Sequence, residues 1–214
     1  MLDPLDYPYV PIDRPGLLSA GAFETLPNIG RGEPLLAVGS NASAEVLRRK
    51  LDGPVPPLPV APCIVGDLAV GHSAHVSRPG FLAAAPYRRA GARTSAVALW
   101  PDPAQLAALD ATEPSYERVW LSAERYPLWV GILRPTGCWV HSSRFGLLAD
   151  SARRTVPLRS QAAAHEILRE LPEIAELLGD RGPVDVTRLL ATESARSLVD
   201  GALRRHGRVA AARV

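Results

Sequence analysis

The spacing of apolar residues changes along this chain, and the change predicts two kinds of structure. Between Val60 and Trp100 the apolar runs are short and are separated by turn residues such as Pro79-Gly80 and Gly91. This pattern is typical of β-strands joined by tight turns. The strand-like runs cover 60–69, 73–77, 81–85, 94–100, 127–133 and 136–141. Many short strands with few helices between them predict a small, mixed and mostly antiparallel β-barrel.

The last third of the chain has the period of helices. Apolar residues from Ser160 to Leu178 recur every three or four positions, with Pro172 as a potential kink. A turn at 180–183 precedes a second helical pattern over 184–205, and the end at 207–214 is expected to fray. We predict a C-terminal helical hairpin packed on the barrel, which makes the fold class α+β. A surface for a partner protein is the alternative use of these helices.

The beginning of the chain predicts an arm followed by a strand, a turn and a helix. Pro and Gly are frequent over residues 1–34, which favours an extended arm. The apolar run 35–38 predicts a buried strand, Gly39-Ser40-Asn41 a turn, and 43–51 an amphipathic helix. A proline-rich loop is expected over 52–59. The predicted organisation is therefore an N-terminal arm at 1–34, a barrel domain at 35–150 and a helical extension at 151–214.

The central part of the chain places a carboxylate between a helix and a strand. Residues 103–112 predict a short helix, and the alternating, aromatic run 116–121 predicts a strand. Glu113 stands between them, with Pro114 closing the helix behind it. A carboxylate at such a junction can be held rigidly and directed into a cavity. A solvated turn residue is the other interpretation of the same position.

Composition narrows the classes of function. Apolar residues make up 47% of the 214 residues, and the formal net charge is +2. A core is therefore expected, and a nucleic-acid partner is not. No run reaches the roughly 18 apolar residues that a membrane span needs. The acidic start of the chain does not resemble a leader, and we expect a cytoplasmic protein without a membrane partner. Cys63 and Cys138 match no metal or redox spacing and are expected as buried, unpaired thiols.

Two groups of residues suggest chemistry that the details of the sequence argue against. Gly71-His72-Ser73-Ala74-His75 begins like the nucleophile elbow of serine hydrolases, but His75 replaces the second Gly and no helix start follows. His72, His75 and His141 are candidate metal ligands. On a strand, however, residues three apart face opposite sides, and no acidic or cysteine partner stands nearby. We predict no metal site and no cofactor.

The third group resembles a known family. A strand that ends in Gly39-Ser40-Asn41 is followed by further strands and by a helix that ends Leu109-Asp110-Ala111-Thr112-Glu113, with Tyr116 three residues later. This order is similar to that of the γ-glutamylcyclotransferase-like superfamily over about residues 35–145. The resemblance implies a small barrel with a polar cavity. Active members of the superfamily release 5-oxoproline from γ-glutamyl amides or peptides without a cofactor.

The resemblance also implies roles for individual residues. Glu113 takes the position of the catalytic carboxylate, which deprotonates the substrate's α-ammonium and passes the proton to the leaving amine. Val38 at the end of the strand and the turn Gly39 to Asn41 would bind the substrate, with the amides of Gly39, Ser40 and Asn41 on its α-carboxylate. Tyr116 matches the pocket tyrosine of the family. Val38 departs from the usual Tyr, and Pro114 from the Gly that often follows the glutamate.

The sequence leaves several alternatives open. The expected partner is a small γ-glutamyl-type substrate, but the leaving amine and the oligomeric state are not identified. A catalytically silent protein that binds a small metabolite in the same cavity is the second interpretation. An amide hydrolase that directs water with the same Glu113 is the third.

Overall fold

A computed structural model describes residues 2–27, 30–51 and 56–214. Part of the predicted loop at 52–59 therefore lies outside the described residues. Contacts divide the chain into two units. The helical unit comprises residues 2–7, Val70–Ala85 and Phe145–Arg213, and the sheet unit comprises Pro8–Ala69, Pro86–Arg144 and Val214. The arm, barrel and extension expected from the sequence remain a prediction, because these units follow the density of contacts and cut the chain differently.

The described residues form ten strands and six α-helices. The strands are β1 (Gly16–Leu18), β2 (Phe23–Thr25), β3 (Leu35–Ala37), β4 (Leu58–Val76), β5 (Leu82–Leu99), β6 (Tyr116–Ser122), β7 (Leu128–Trp129), β8 (Gly137–Ser143), β9 (Leu147–Leu148) and β10 (Val209–Ala210). The helices are α1 (Ala44–Lys50), α2 (Pro103–Ala111), α3 (Gln161–Leu168), α4 (Pro172–Leu178), α5 (Pro183–Leu190) and α6 (Glu193–Arg205). Among these helices, none combines the length and the apolar character that a membrane crossing requires.

The sheet unit is built on a mostly antiparallel sheet in the order β4-β5-β3-β8-β6. β3 runs antiparallel to β5 and parallel to β8, and β6 is antiparallel to β8 over seven paired residues. The short strands β1 and β7 both pair with β4. The mixed α+β class and the mostly antiparallel pairing are confirmed. The predicted barrel is not, because the strand order of the described residues does not close on itself.

β3 lies in the middle of this sheet and is buried on both faces. Leu35 and Ala37 pack into one apolar cluster with residues of α1 and α2, while Leu36 packs into a second cluster with residues of β4, β5 and β8. Side chains of a strand alternate between faces, so a strand covered on both sides is apolar throughout. This burial fixes the position of the turn that follows Ala37.

The helical unit contains four helices where the sequence predicts two. Pro172 begins α4 instead of kinking a longer helix, because a proline is tolerated in the first turn but lacks the N–H that a helix interior needs. Thr192 caps α6, with its hydroxyl accepting a hydrogen bond from the Ala195 N–H. The predicted helix over 184–205 is therefore interrupted after Leu190.

Other predicted boundaries also differ from those observed. The strand signals at 60–69 and 73–77 belong to one strand, β4, and those at 81–85 and 94–100 belong to β5. Both strands continue through glycines because hydrogen bonds to neighbouring strands override local preference. The end of the chain is not wholly frayed, since β10 pairs with β9. The N-terminal arm contains the paired strands β1 and β2.

Candidate functional site

The turn after β3 is a single tight turn that leads into α1. Residues Ser40–Ala42 form a 3-10 turn, in which the Ala42 N–H donates to the Gly39 carbonyl at 2.9 Å and the Ser43 N–H to the Ser40 carbonyl at 3.0 Å. The N–H groups of Ser40 and Asn41 precede these bonds and have no partner within the turn. Asn41 is 8% exposed and Ala42 is also buried, which holds the turn firmly.

Helix α2 positions Glu113. A capping box starts the helix, with the Asp102 carboxylate accepting from the Gln105 N–H and the Gln105 side chain accepting from the Asp102 N–H. Leu109 is fully buried against the β3 face. After the helix, the Glu113 N–H donates to the Asp110 carbonyl at 3.0 Å, and the Tyr116 N–H donates to the Glu113 carbonyl at 2.9 Å. The structure thus places Glu113 between a helix and a strand.

The carboxylate of Glu113 accepts hydrogen bonds from two side chains, one neutral and one cationic. Asn41 Nδ2 donates to Glu113 Oε1 at 3.1 Å, and Lys50 Nζ donates to the same oxygen at 2.6 Å. The side chains of Lys50 and Glu113 are 18% and 16% exposed. Residues from the β3 turn, the end of α1 and the end of α2 therefore meet at one partly buried ion pair.

The side-chain amide of Asn41 has one satisfied and one unsatisfied end. Its Nδ2 contacts Glu113, but its buried Oδ1 has no hydrogen-bond partner in the part of the chain that the structure describes. Turning the amide over would bring Oδ1 against the carboxylate oxygen, so the observed orientation is the favourable one. A buried acceptor without a donor costs free energy. The site consequently favours a ligand that carries an N–H or O–H donor.

Lys50 is the residue that sequence reasoning missed. It is the only lysine of the chain and stands last in α1, after two arginines. Basic residues are common at the end of a helix because they interact favourably with the helix dipole. At this position Lys50 therefore has the pattern of an ordinary surface residue. The unusual residue type was the available signal, since every other basic side chain is an arginine apart from the histidines.

The other predicted residues of the site have distinct surroundings. Val38, Gly39 and Ser40 are half-buried in the turn, and Val38 packs against the apolar cluster that contains Leu36. Tyr116 is half-buried at the start of β6, and its carbonyl accepts a hydrogen bond from Arg144 Nε at 2.9 Å. The structure brings Asn41 and Glu113 into contact. The binding roles of Val38, Gly39, Ser40 and Tyr116 remain predictions.

A second polar network lies one turn before Glu113. His141 Nε2 and Asp110 Oδ1 are 2.8 Å apart, and Arg118 Nη1 approaches Asp110 Oδ2 at 3.4 Å. The Arg118 guanidinium also lies 5.3 Å from the ring centre of Trp139. His141, considered above as a metal ligand, is thus a hydrogen-bonded histidine. Among the described residues no group of three or more His, Cys, Asp or Glu side chains could hold a metal ion.

The segment from Gly71 to His75 lies inside β4, so it does not form the strand-to-helix turn of a nucleophile elbow. Ser73 Oγ and His75 Nδ1 are nevertheless 2.6 Å apart. Ser73 is fully buried and His75 is 5% exposed. A nucleophile must reach its substrate, and this hydroxyl has no exposed surface. The pair is structural in this conformation.

An open groove of about 350 Å³ occurs elsewhere in the sheet unit. It lies at the start of α2 and is lined by Arg31, Glu33, Pro56, Pro57, Pro59, Trp100, Pro101, Asp102 and Gln105. Glu113 follows the other end of this nine-residue helix, which is about 13 Å long at 1.5 Å per residue. The groove is therefore separate from the Glu113 site.

Comparisons with known proteins add little to this description. No protein family and no curated protein matches the sequence. Among solved structures, the chain is similar to a solution structure of the Arabidopsis thaliana protein At3g28950.1, with 14% sequence identity and a TM-score of 0.38. The match covers 53% of this chain and 63% of that protein. These comparisons assign no role to the residues around Glu113.

Proposed function

We propose that the sheet unit catalyses intramolecular acyl transfer on a γ-glutamyl amide, as the resemblance to the γ-glutamylcyclotransferase-like superfamily implies. The observation that supports this proposal is the contact between Asn41 and Glu113. The two residues are 72 positions apart in sequence, and their side chains meet at 3.1 Å. They are the residues of the Gly-Ser-Asn turn and of the helix-to-strand junction that the resemblance joins in one site.

The proposed reaction needs no nucleophile from the protein. The α-amine nitrogen of the substrate attacks its own γ-carbonyl carbon, a C–N bond closes the five-membered lactam, and the C–N bond to the leaving amine breaks. The α-nitrogen gives up two protons on becoming the lactam N–H, and the Glu113 carboxylate passes them in turn to the leaving nitrogen. The products are 5-oxoproline and the leaving amine in its protonated form. Holding the substrate folded on itself contributes to the rate through orientation.

The surroundings of Glu113 suit a base of this kind. With 16% of its side chain exposed, the carboxylate is within reach of a small molecule and largely shielded from water. Asn41 holds one carboxylate oxygen in place, so the group does not have to be oriented at the moment of reaction. The amides of Gly39, Ser40 and Asn41 would bind the substrate α-carboxylate, and Val38 and Tyr116 would line the pocket.

The test is product analysis on a panel of γ-glutamyl amino acids, γ-glutamyl amines and glutathione. We expect release of 5-oxoproline from at least one of them. Free glutamate in place of 5-oxoproline would indicate hydrolysis by water. Binding without turnover on the whole panel would indicate a silent binding protein. Either result contradicts the cyclotransferase proposal.

A substitution then tests the role of the carboxylate. Glu113→Gln keeps the shape of the side chain and removes the proton transfer, so we expect turnover to fall at least about a hundredfold. Glu117→Gln is the matched control, because Glu117 lies nearby in β6 with a side chain that is 56% exposed. The control should keep its activity. A folded Glu113→Gln variant with normal turnover would contradict the mechanism.

The proposal places this reaction in the cytoplasm. Cys63 and Cys138 are both buried and carry free thiols, as expected for a protein in a reducing compartment. No cofactor enters the proposed chemistry. The identity of the leaving amine is left to the substrate panel.

A further inference from the structure

The Lys50–Glu113 ion pair is shielded from water but can be reached. Nζ and Oε1 are 2.6 Å apart, and less than a fifth of either side chain is exposed. Separating two such charges leaves each of them without a partner in poorly hydrated surroundings, which is costly. A ligand that separates the two residues must therefore supply a positive group for Glu113 and a negative group for Lys50.

An α-amino acid head has both groups on one carbon atom. Its ammonium carries three N–H donors, and its carboxylate accepts from a cation. Asn41 supplies a second, independent feature, because its buried Oδ1 lacks a donor in the described structure and belongs to the same amide that contacts Glu113. An ammonium held by Glu113 would also satisfy this oxygen.

We propose that the free α-amino acid head of a ligand inserts into the Lys50–Glu113 pair. The ammonium binds Glu113 and Asn41 Oδ1, and the carboxylate binds Lys50 Nζ in addition to the turn amides of Gly39, Ser40 and Asn41 that the proposed function assigns to it. The ion pair of the unliganded protein is thereby exchanged for two new ion pairs, with no charge left unpaired. The assignment of this head to a γ-glutamyl substrate rests on the proposed function, whereas the exchange itself does not require turnover.

The exchange makes the site selective for zwitterionic heads. A ligand with an amidated α-carboxyl group leaves Lys50 without a partner, and a ligand without the amine leaves Glu113 without one. In the proposed reaction, the α-nitrogen of the substrate becomes the lactam nitrogen of 5-oxoproline and loses its positive charge. The product can no longer compete with Lys50 for Glu113, so the ion pair re-forms and favours product release.

The test uses three compounds that share a γ-carboxylate and differ in the head. L-Glutamate has the complete head, L-isoglutamine has the α-carboxyl group amidated, and glutarate lacks the amine. None of them has the γ-amide that the proposed reaction cleaves, so binding is measured by calorimetry without turnover. We expect L-glutamate to bind the wild-type protein at least about tenfold more tightly than either other compound, as for a lost hydrogen bond to a charged group.

The Lys50→Met variant identifies the residue that recognises the carboxylate. Methionine keeps much of the length of the side chain and removes its charge. We expect the preference for L-glutamate over L-isoglutamine to fall at least about tenfold, because the variant removes the partner of the α-carboxylate and also the penalty for leaving Lys50 unpaired when L-isoglutamine binds. Arg49→Met is the matched control, because Arg49 is the preceding residue and its side chain is 46% exposed. That variant should keep the wild-type preference.

The outcomes separate this inference from the proposed function. An unchanged preference for L-glutamate over L-isoglutamine in Lys50→Met would overturn the inference, as would failure of L-glutamate to bind the wild-type protein. Absence of 5-oxoproline from the substrate panel, together with a Lys50-dependent preference for L-glutamate, would overturn the reaction and support the binding site.

Discussion

Acid should destabilise the helical unit through the buried side chain of His165. His165 lies in α3 and is 1% exposed, and neither of its ring nitrogens has a partner among the described residues. Burial lowers the pKa of His165 from its ordinary 6.5 to about 4, with smaller contributions in the same direction from the nearby charge of Arg169 and from His72. The folded protein therefore holds this ring in its neutral form.

The size of the effect follows from the shift in pKa. The unfolded chain binds a proton at His165 as the pH falls below 6.5, whereas the folded chain does not bind it until about pH 4. The contribution of the neutral His165 ring to the free energy of unfolding is complete above pH 6.5. It is lost progressively as the pH falls from 6.5 to 4. One pKa unit corresponds to about 1.4 kcal/mol, so the loss is about 2 kcal/mol at pH 5 and about 3 kcal/mol at pH 4.

Replacing His165 with Leu should remove the part of the pH dependence that His165 contributes. The substitution also removes two buried nitrogens that lack partners in the described part of the chain, so we expect no loss of stability at pH 7. Urea unfolding can be followed by circular dichroism, because four of the six helices belong to the helical unit. All four tryptophans belong to the sheet unit, and their fluorescence reports on that unit separately.

A second variant separates the charge effect from ordinary packing. Burial also lowers the pKa of His75 to about 4, but its Nδ1 lies 2.6 Å from Ser73 Oγ. His75→Leu should reduce the dependence on pH and, unlike His165→Leu, should cost stability at pH 7 because it breaks this hydrogen bond. The reasoning would be refuted if wild type and His165→Leu lost the same free energy of unfolding between pH 7 and 5.

Three further predictions follow from individual contacts. Asn41→Ala should lower kcat/KM on the proposed substrate about tenfold or more, because it removes a hydrogen bond to the charged Glu113. Asn41→Asp should lower kcat/KM further, because it places a second negative charge beside Glu113. Equal activity of the two variants would show that the role of Asn41 is merely structural. Gly80→Ala should destabilise the protein by about 1–3 kcal/mol in urea unfolding, because the Gly80 φ is +91° and the added methyl would lie 2.1 Å from the Thr187 carbonyl oxygen. An unchanged free energy of unfolding would contradict this prediction. Cys63 and Cys138 should resist a thiolate-directed reagent in the folded protein and react with it in denaturant. Burial raises the pKa of both thiols, that of Cys138 to about 12. Rapid labelling without denaturant would contradict their burial.

The position of Glu113 could be predicted from the sequence because the signals there are local. Pro103 favours a helix start, Pro114 prevents the helix from continuing, and the aromatic run from Tyr116 favours a strand. The structure has α2 and β6 on either side of Glu113. The mostly antiparallel sheet was also predictable, because short apolar strands joined by tight turns pair most simply with their neighbours in antiparallel order.

The helix and strand boundaries depended on partners that sequence does not reveal. β4 and β5 continue through residues with poor strand preference because neighbouring strands satisfy their backbone groups. The two expected C-terminal helices are four, because Pro172 and the cap at Thr192 each begin a new helix. A barrel was expected from the regular spacing of the predicted strands. Closure of a sheet depends on the pairing of its edge strands, and the spacing along the sequence gives no information about that pairing.

The site itself was decided only in part by the sequence. Asn41 and Glu113 were expected together, but Asn41 through its backbone amide and not through the side chain that contacts the carboxylate. Lys50 was not expected at all. It stands 63 residues before Glu113, and its charge would be equally acceptable in solvent at the end of a helix. Only the packing of α1 and α2 against β3 turns that solvated lysine into the counter-ion of a partly buried carboxylate.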